Sequence, residues 1–211
     1  MDWEAFYRSA DYDRCIYLRG DVMVSYLERF FDRFGPFESV VSVGCGPAVV
    51  LFELAERYSD VDVHGLDVSE TVVADNRERA AERGLENLTF AVDSLPTLEI
   101  DDRFDLVYCA ATLFFVADAA AAVADLYEHV ADGGYLVVNY PDADSRERLD
   151  HALEGRRREA FELVLEGENL LSAADVRDCC GAEPQDYWAA VDATDDDSFF
   201  LAETPMVSLE R

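Results

Sequence analysis

The chain has 211 residues and a mass of 23.6 kDa, enough for one α/β domain and too little for a second of equal size. Half of the residues are hydrophobic and 12% are aromatic, which fills a core and excludes wholesale disorder. Acidic residues outnumber basic ones 46 to 17, every basic residue is Arg, and the formal charge of -29 excludes ordinary nucleic-acid and anionic-membrane partners, whose phosphates it would repel.

In chain order, residues 1–35 read as an N-terminal helical lid. Val22, Met23, Tyr26, Leu27, Phe30, Phe31 and Phe34 recur at near-helical spacing until Gly35-Pro36 stops the run. The first eight residues carry acids and no apolar core, so no signal peptide is expected there. From residue 36 strands and helices alternate. A β-branched strand over 39–43 runs into Gly44-Cys45-Gly46, and a helix over 49–58 follows. A strand over 61–66 ends at Asp67, and Ser69 caps a helix that reaches Arg83 and closes at Gly84. Strands over 88–92 and 104–109 come next, then a helix over 117–130 stopped by Asp132-Gly133-Gly134, then a strand over 135–140. Strands alternating with helices imply right-handed crossovers and a parallel sheet covered on both faces.

Residues 106–124 form an apolar stretch with Asp118 as its single charge. An Asp in a membrane centre costs about 2.5–3.5 kcal/mol, so a buried strand entering an Ala-rich helix is the expected form. Beyond Pro141 the pattern changes to one charged helix over 145–166, in which Arg156, Arg157 and Arg158 are expected to pair with Glu154, Glu159 and Glu162. Ser172 and Asp175 have the form of a capping box opening a short helix that ends near Gly181. Strand-like runs over 185–191 and 198–208 are expected to form an antiparallel pair at the sheet edge.

The cysteines at 15, 45, 109, 179 and 180 are odd in number and form no C-x-x-C, and His64, His129 and His151 add no metal-ligand spacing. The expectation is a reduced, cytoplasmic, metal-free protein. Salt relieves the self-repulsion of so acidic a chain, because the Debye length shrinks to about 3 Å at 1 M. The acid-rich, Lys-free composition resembles that of proteins from halophilic microbes.

In an open α/β sheet, ligands bind beyond the carboxyl ends of the strands. Three such ends carry suitable residues. Gly44-Cys45-Gly46-Pro47-Ala48 lets backbone pass close to a ligand and starts a helix. Asp67 follows Gly46 by 21 residues, the spacing at which an acid accepts both hydroxyls of a ribose. Asp93-Ser94 is placed to meet an adenine amino group. A dinucleotide would want a third glycine and free amides at the helix start, yet Val49 takes the glycine position and Pro47 deletes an amide. A ligand with a ribose and a base but no phosphate fits better.

These segments carry a family resemblance. Val41-Ser42-Val43-Gly44-Cys45-Gly46-Pro47-Ala48, Val63-His64-Gly65-Leu66-Asp67-Val68-Ser69, Phe90-Ala91-Val92-Asp93-Ser94-Leu95-Pro96, Phe104-Asp105-Leu106-Val107-Tyr108-Cys109 and Asp132-Gly133-Gly134-Tyr135-Leu136 resemble the successive motifs of class I S-adenosylmethionine-dependent methyltransferases. The resemblance implies an α/β fold with a Rossmann-like seven-stranded sheet, mostly parallel with an antiparallel C-terminal strand and helices on both faces. It implies a single domain over 1–211: the lid over 1–35, a cofactor-binding core over 36–140, and C-terminal helices with a β-hairpin over 141–211. S-adenosyl-L-methionine is the implied cofactor, with Gly44, Cys45 and Gly46 against its amino-acid part and Asp67 on the ribose. Val68 would lie beside the adenine, Asp93 and Ser94 at its edge, and Ala110 near the sulfonium. Ser42 stands where the family usually has an acid, and Ala48 where it often has Gly.

The implied reaction is methyl transfer to a small-molecule acceptor, with Tyr12, Tyr17, Phe114, Phe115 and Tyr140 as candidates to line the acceptor pocket. A catalytic base would depend on the acceptor, and the sequence leaves both open, as it does the oligomeric state. The competing readings are a non-catalytic or regulatory cofactor-binding protein and, against Pro47 and Val49, an NAD-type oxidoreductase.

Overall fold

The computed structural model describes residues 2–8, 20–193 and 203–211. Tyr12, Tyr17, Cys15 and the start of the last expected strand lie outside the described residues. The elements in order are α1 (Trp3–Tyr7), α2 (Gly20–Phe34), β1 (Ser39–Val43), α3 (Val49–Arg57), β2 (Asp62–Asp67), α4 (Glu70–Arg83), β3 (Leu88–Val92) and β4 (Phe104–Cys109). A 3-10 turn (Leu113–Phe115), α5 (Ala119–Glu128), β5 (Val130–Asn139), α6 (Ala143–Ala152), α7 (Gly155–Ala160), α8 (Glu162–Glu166), α9 (Ala173–Cys180), β6 (Gln185–Asp186), α10 (Tyr187–Ala190) and β7 (Met206–Glu210) follow.

Seven strands form one sheet in the order β3-β2-β1-β4-β5-β7-β6. β3, β2, β1, β4 and β5 run parallel, while β7 is antiparallel to both β5 and β6. Val40, Val41 and Val43 of β1 are each at most 2% exposed, as befits a central strand covered on both faces. α2 buries Met23, Tyr26, Leu27, Phe30 and Phe31, an apolar stripe at helical spacing, against one face of the sheet together with α3. α5 and α9 cover the other face through Ala122, Val123, Leu126 and Val176. A third, smaller cluster joins Phe114 of the 3-10 turn to Leu149 of α6 and Val164 of α8. The strand order reverses between β1 and β4, so the crevice that such sheets use for ligands opens beyond their carboxyl ends. No described helix is long and apolar enough to cross a membrane.

Five expectations are corrected. The charged helix over 145–166 is three helices, because Gly155 adopts the left-handed φ of +56° and Leu153 before it is extended. Arg158 consequently turns back to ion-pair with Asp150 rather than with the glutamates of its own segment. The run over 185–191 is strand only at Gln185–Asp186, since the Asp186 side chain caps the amide of Ala189 and the Tyr187 ring is drawn wholly into the core. β7 extends from Met206 to Glu210, two residues past the expected end. Asp132-Gly133-Gly134 does not stand before the fifth strand but bulges within it: Phe104 pairs with Val130 and Leu106 with Tyr135, and the Gly133 amide bonds the Arg211 carbonyl.

Candidate active site

The loop after β1 is built around backbone that side chains would obstruct. Gly44 has φ +68°, and a Cβ there would lie 2.2 Å from Oγ1 of Thr112. The Thr112 hydroxyl lies within hydrogen-bonding distance of the carbonyls of Val43, Gly44 and Ala110, so it ties the β1 loop to the segment after β4. Gly46 has φ +50°, and a Cβ there would approach the Tyr7 hydroxyl at 3.1 Å. Ala48 keeps the left-handed φ of +56° that a glycine would adopt without strain, then α3 begins. From α4, the wholly buried Asn76 donates to the Gly46 carbonyl at 2.7 Å and Arg79 donates to the Pro47 carbonyl at 2.9 Å. The Arg79 guanidinium also lies over the Phe52 ring, 4.3 Å from its centroid.

Asp67, 5% exposed at the end of β2, faces this loop. Its Oδ2 accepts the Gly46 amide at 2.8 Å and its Oδ1 the Ser69 amide at 3.0 Å. Burial raises its pKa above the ordinary carboxylate value; the amides of Ser69, Gly46 and Val68 oppose that shift, and the nearby charge of Glu4 adds to it. Burial and the Asp67 charge likewise hold the Cys45 thiol well above its usual range, so this cysteine is no ready nucleophile. A carboxylate accepts at about four lone-pair positions, so these amides leave it capacity to accept from a ligand hydroxyl. Val68 and Val92, the exposed large hydrophobic residues among those described, stand at 48% exposure beside the ends of β2 and β3 and offer apolar faces there.

Asp93, at the end of β3, folds its own loop. Its Oδ1 accepts the amides of Ser94 and Glu99 and its Oδ2 also accepts that of Glu99, while Ser94 remains exposed. After β4, Ala110 is half-buried, and Ala111, at φ +58°, donates its amide to Oδ1 of Asn139 at 3.2 Å. Asn139 is fully buried and donates in turn to Thr204 Oγ1 at 2.7 Å and to the Pro205 carbonyl, which fixes the β4 segment to β5 and β7.

The short helix α1 lies across these strand ends. Glu4 accepts from the Ser69 hydroxyl at 2.8 Å and from both the amide and the hydroxyl of Thr71 at 3.2 and 2.5 Å, directly beside Asp67. Those bonds, that from the Thr71 hydroxyl foremost, lower the Glu4 pKa to about 2. Tyr7 reaches the Gly46 loop, and Trp3 packs edge-on against Phe115 with ring centroids 4.9 Å apart.

The structure thus brings Gly44, Cys45, Gly46, Asp67, Val68 and Ala110 to the mouth of one crevice, with Asp93 and Ser94 at its β3 end. It does not bring the whole expected acceptor set there. Phe114 and Tyr140 are 1% and 2% exposed and belong to hydrophobic clusters. Burial and the charges of Asp142 and Asp175 push the Tyr140 phenol up to about 12. Residues that sequence reasoning missed are Glu4, Asn76 and Thr112. Of these only Asn76 leaves a local trace, a single amide in a helix otherwise of charged and small residues. Among the described residues no group of His, Cys, Asp and Glu is placed to hold a metal ion.

The comparisons with known proteins agree with this geometry. The family described as methyltransferase domain matches residues 37–182. Trans-aconitate 2-methyltransferase of Deinococcus radiodurans is 33% identical over 132 residues, which are 63% of this chain and 48% of that one. Aklanonic acid methyltransferase DauC of Streptomyces sp. strain C5 is 34% identical over 106 residues, 49% of this chain and 48% of that one. The chain therefore spans about half the length of these two relatives. The structure of the plantazolicin methyltransferase BpumL in complex with SAH superposes over 99% of this chain and 93% of that chain with a TM-score of 0.66, at 9% identity, a likeness of fold. Its family match, its strand order and its strand-end loops together make the chain a member of the methyltransferase domain family, with the fold of the class I S-adenosylmethionine-dependent enzymes.

Proposed function

We propose that the chain transfers a methyl group from S-adenosyl-L-methionine to a small-molecule acceptor. The observation that carries this reading is the Asp67 carboxylate, bonded to the Gly46 amide with acceptor capacity to spare, between a glycine loop that Thr112 and Tyr7 pack against and two exposed valines. The cofactor's chemical make-up fits those residues. Gly44, Cys45 and Gly46 would border its amino-acid part, Asp67 would accept the ribose hydroxyls, Val68 and Val92 would flank the adenine with Ser94 at its edge, and Ala110 would border the reacting methyl. When bound, it supplies an electrophilic methyl group at a sulfonium for displacement by a nucleophile.

The chain's own contribution is alignment and exclusion of water, which such a displacement needs more than an acid–base pair. Thr112 and Asn139 hold the Ala110 segment against the glycine loop, and α1 acts as the lid. Trans-aconitate and aklanonic acid, named for the relatives, are small molecules, which supports an acceptor of that size. The charge of -29 supports a protein free of nucleic-acid and membrane partners, held in the salty cytoplasm of a halophile.

One thermal-shift series tests both readings. Melting is followed from low to molar KCl with S-adenosylhomocysteine, with NAD, and without ligand. The expected result is a steep rise of Tm with salt and a further rise with S-adenosylhomocysteine alone. Stabilisation by NAD instead would overturn the cofactor assignment, and a Tm independent of salt would overturn the halophile assignment.

A further inference from the structure

Five aromatic side chains from three distant parts of the sequence form one chain of ring contacts that reaches the glycine loop. Trp3, Phe6 and Tyr7 come from α1, Phe115 from the 3-10 turn after β4, and Phe161 from the junction of α7 and α8. Trp3 meets Phe115 at 4.9 Å and Phe115 meets Phe161 at 5.0 Å between ring centroids, while Trp3 stacks on Tyr7 at 6.0 Å. All five are only partly buried, unlike Phe114 beneath them. The row is continuous with the glycine loop, because Thr112, which closes on Gly44, immediately precedes the turn that carries Phe115 and Tyr7 reaches Gly46.

None of the five rings carries a formal charge. The charged neighbours on α1 are engaged with each other and with α4: Arg8 pairs with Glu4 at 3.2 Å, and Glu4 is bonded to Ser69 and Thr71. A wall of aromatic faces and edges at the border of a strongly anionic protein suits a flat, uncharged molecule, which stacks on rings without needing a counter-ion. The five rings themselves offer a carboxylate no cation.

We infer that Trp3, Phe115 and Phe161 select the acceptor and that its class is a planar, uncharged aromatic small molecule. The inference rests on the methyl-transfer reading and departs from the acids named for the two relatives. The row also explains why α1 is anchored by Glu4: the latch on α4 fixes the angle at which Trp3 meets Phe115.

The test is equilibrium binding by calorimetry in molar KCl. The affinity for S-adenosylhomocysteine is measured first, and the saturated protein is then titrated with 1-naphthol and, separately, with tricarballylate, an aliphatic tricarboxylate. Naphthol should bind and tricarballylate should not. Phe115→Ala and Phe161→Ala should each weaken naphthol about tenfold, as loss of a stacking ring predicts, with S-adenosylhomocysteine affinity held within about twofold as the sign of an intact fold. Phe161→Tyr should restore naphthol binding and Phe161→Leu should not, whereas a mere packing role would be restored by Leu. Rescue by Leu, unchanged naphthol binding in the alanine variants, or tighter binding of tricarballylate would overturn the inference. Failure of the wild type to bind S-adenosylhomocysteine would instead overturn the methyl-donor reading beneath it.

Discussion

Oδ2 of Asp67 accepts the amide of Gly46 at 2.8 Å, so the acid that ends β2 and the glycine loop that follows β1 form one hydrogen-bonded unit. The same carboxylate also takes the Ser69 amide that opens α4. Asp67 is therefore the clasp of the loop beside it, and under the methyl-donor reading proposed above it would also accept the ribose. Removing it tests two properties that respond differently to different substitutions.

Asp67→Ala leaves the amides of Gly46 and Ser69 without their acceptor, and each buried unsatisfied donor costs about 1–3 kcal/mol. Stability and S-adenosylhomocysteine affinity should both fall. Asp67→Asn keeps one acceptor oxygen and removes a buried charge, so only one of the two amides loses its acceptor and Tm should fall less than in the Ala variant at neutral pH. Its affinity should still drop at least about tenfold, because hydrogen bonds to a charged group contribute about 1.5–3 kcal/mol each. The pH dependence has a defined sign. Burial raises the folded-state pKa of Asp67, so its proton is held more tightly in the folded chain. Its contribution to stability is largest below the unfolded value of about 3.9 and declines as pH rises through the folded value. Ligand affinity should rise over that same interval, since the ribose needs the carboxylate. Calorimetric titrations across pH check this, and a flat profile in the Asn variant identifies the group.

Ala48 occupies a glycine's conformation at φ +56°, ψ 31°. An L-residue there costs roughly 1–2 kcal/mol, which Ala48→Gly would recover while giving back about 0.4–1 kcal/mol of chain entropy and about 0.8 kcal/mol of methyl burial. These terms nearly cancel, so Ala48→Gly should melt close to the wild type. Ala48→Val adds a branched side chain to a left-handed backbone at a site 4% exposed, and should cost more than about 2 kcal/mol. Equal tolerance of Val and Gly would mean that the loop does not need this backbone conformation.

The parts of the fold that were legible in the sequence are those written locally. The β-branched run at Val40, Val41 and Val43, the Ser69 cap with Gly84 closing its helix, and the 21-residue interval from Gly46 to Asp67 all concern neighbours or a single crossover. What was not legible depends on residues far apart. Thr112 closes on Gly44 across 68 positions and Glu4 reaches Ser69 across 65, and neither pairing has a periodic trace. Asp93 shows the limit from the other side. Its place at a strand end suggested an adenine partner, yet the amides of Ser94 and Glu99 take most of its oxygens, a demand set by how the loop turns. The late segment departs from one helix for a comparable reason: the break at Gly155 lets α6 and α8 fold onto one cluster around Phe114, a contact between residues 149 and 164 that periodicity does not register.

Tyr108 and Tyr187 bury phenol hydroxyls that have no hydrogen-bond partner among the described residues, with 3% and 0% of each residue exposed. Burial raises both pKa values, and each is further raised by a neighbour, Cys109 for Tyr108 and Tyr108 itself for Tyr187. An unpaired buried hydroxyl costs about 1–3 kcal/mol, so Tyr108→Phe and Tyr187→Phe should each raise Tm. Thermal melts of the single and double variants measure this. Because the hydroxyls lie in one cluster, the double variant should gain less than the sum if they shelter in a common void. A lower Tm in either single variant would reveal a partner for the hydroxyl.

The last prediction concerns the latch between Glu4 and α4. The hydroxyls of Thr71 and Ser69 lower the Glu4 pKa to about 2, against an unfolded value of about 4.3. A depressed folded-state pKa means that the docking it supports is complete above the unfolded value and is lost as pH falls toward 2. Amide exchange in α1 should therefore speed up below about pH 4.3, while that of the central strands, which do not depend on this carboxylate, should hold to lower pH. Glu4→Gln keeps one acceptor oxygen and loses the charge, so at neutral pH it should show the fast α1 exchange that the wild type shows only in acid. Since Tyr7 on the same helix touches the Gly46 loop, S-adenosylhomocysteine should leave the Gln variant severalfold faster, with Tm little changed because α1 buries no residue completely. If the off-rate is unaltered while α1 exchange is fast, the helix docks on α4 without covering the cofactor crevice, and its role as lid falls.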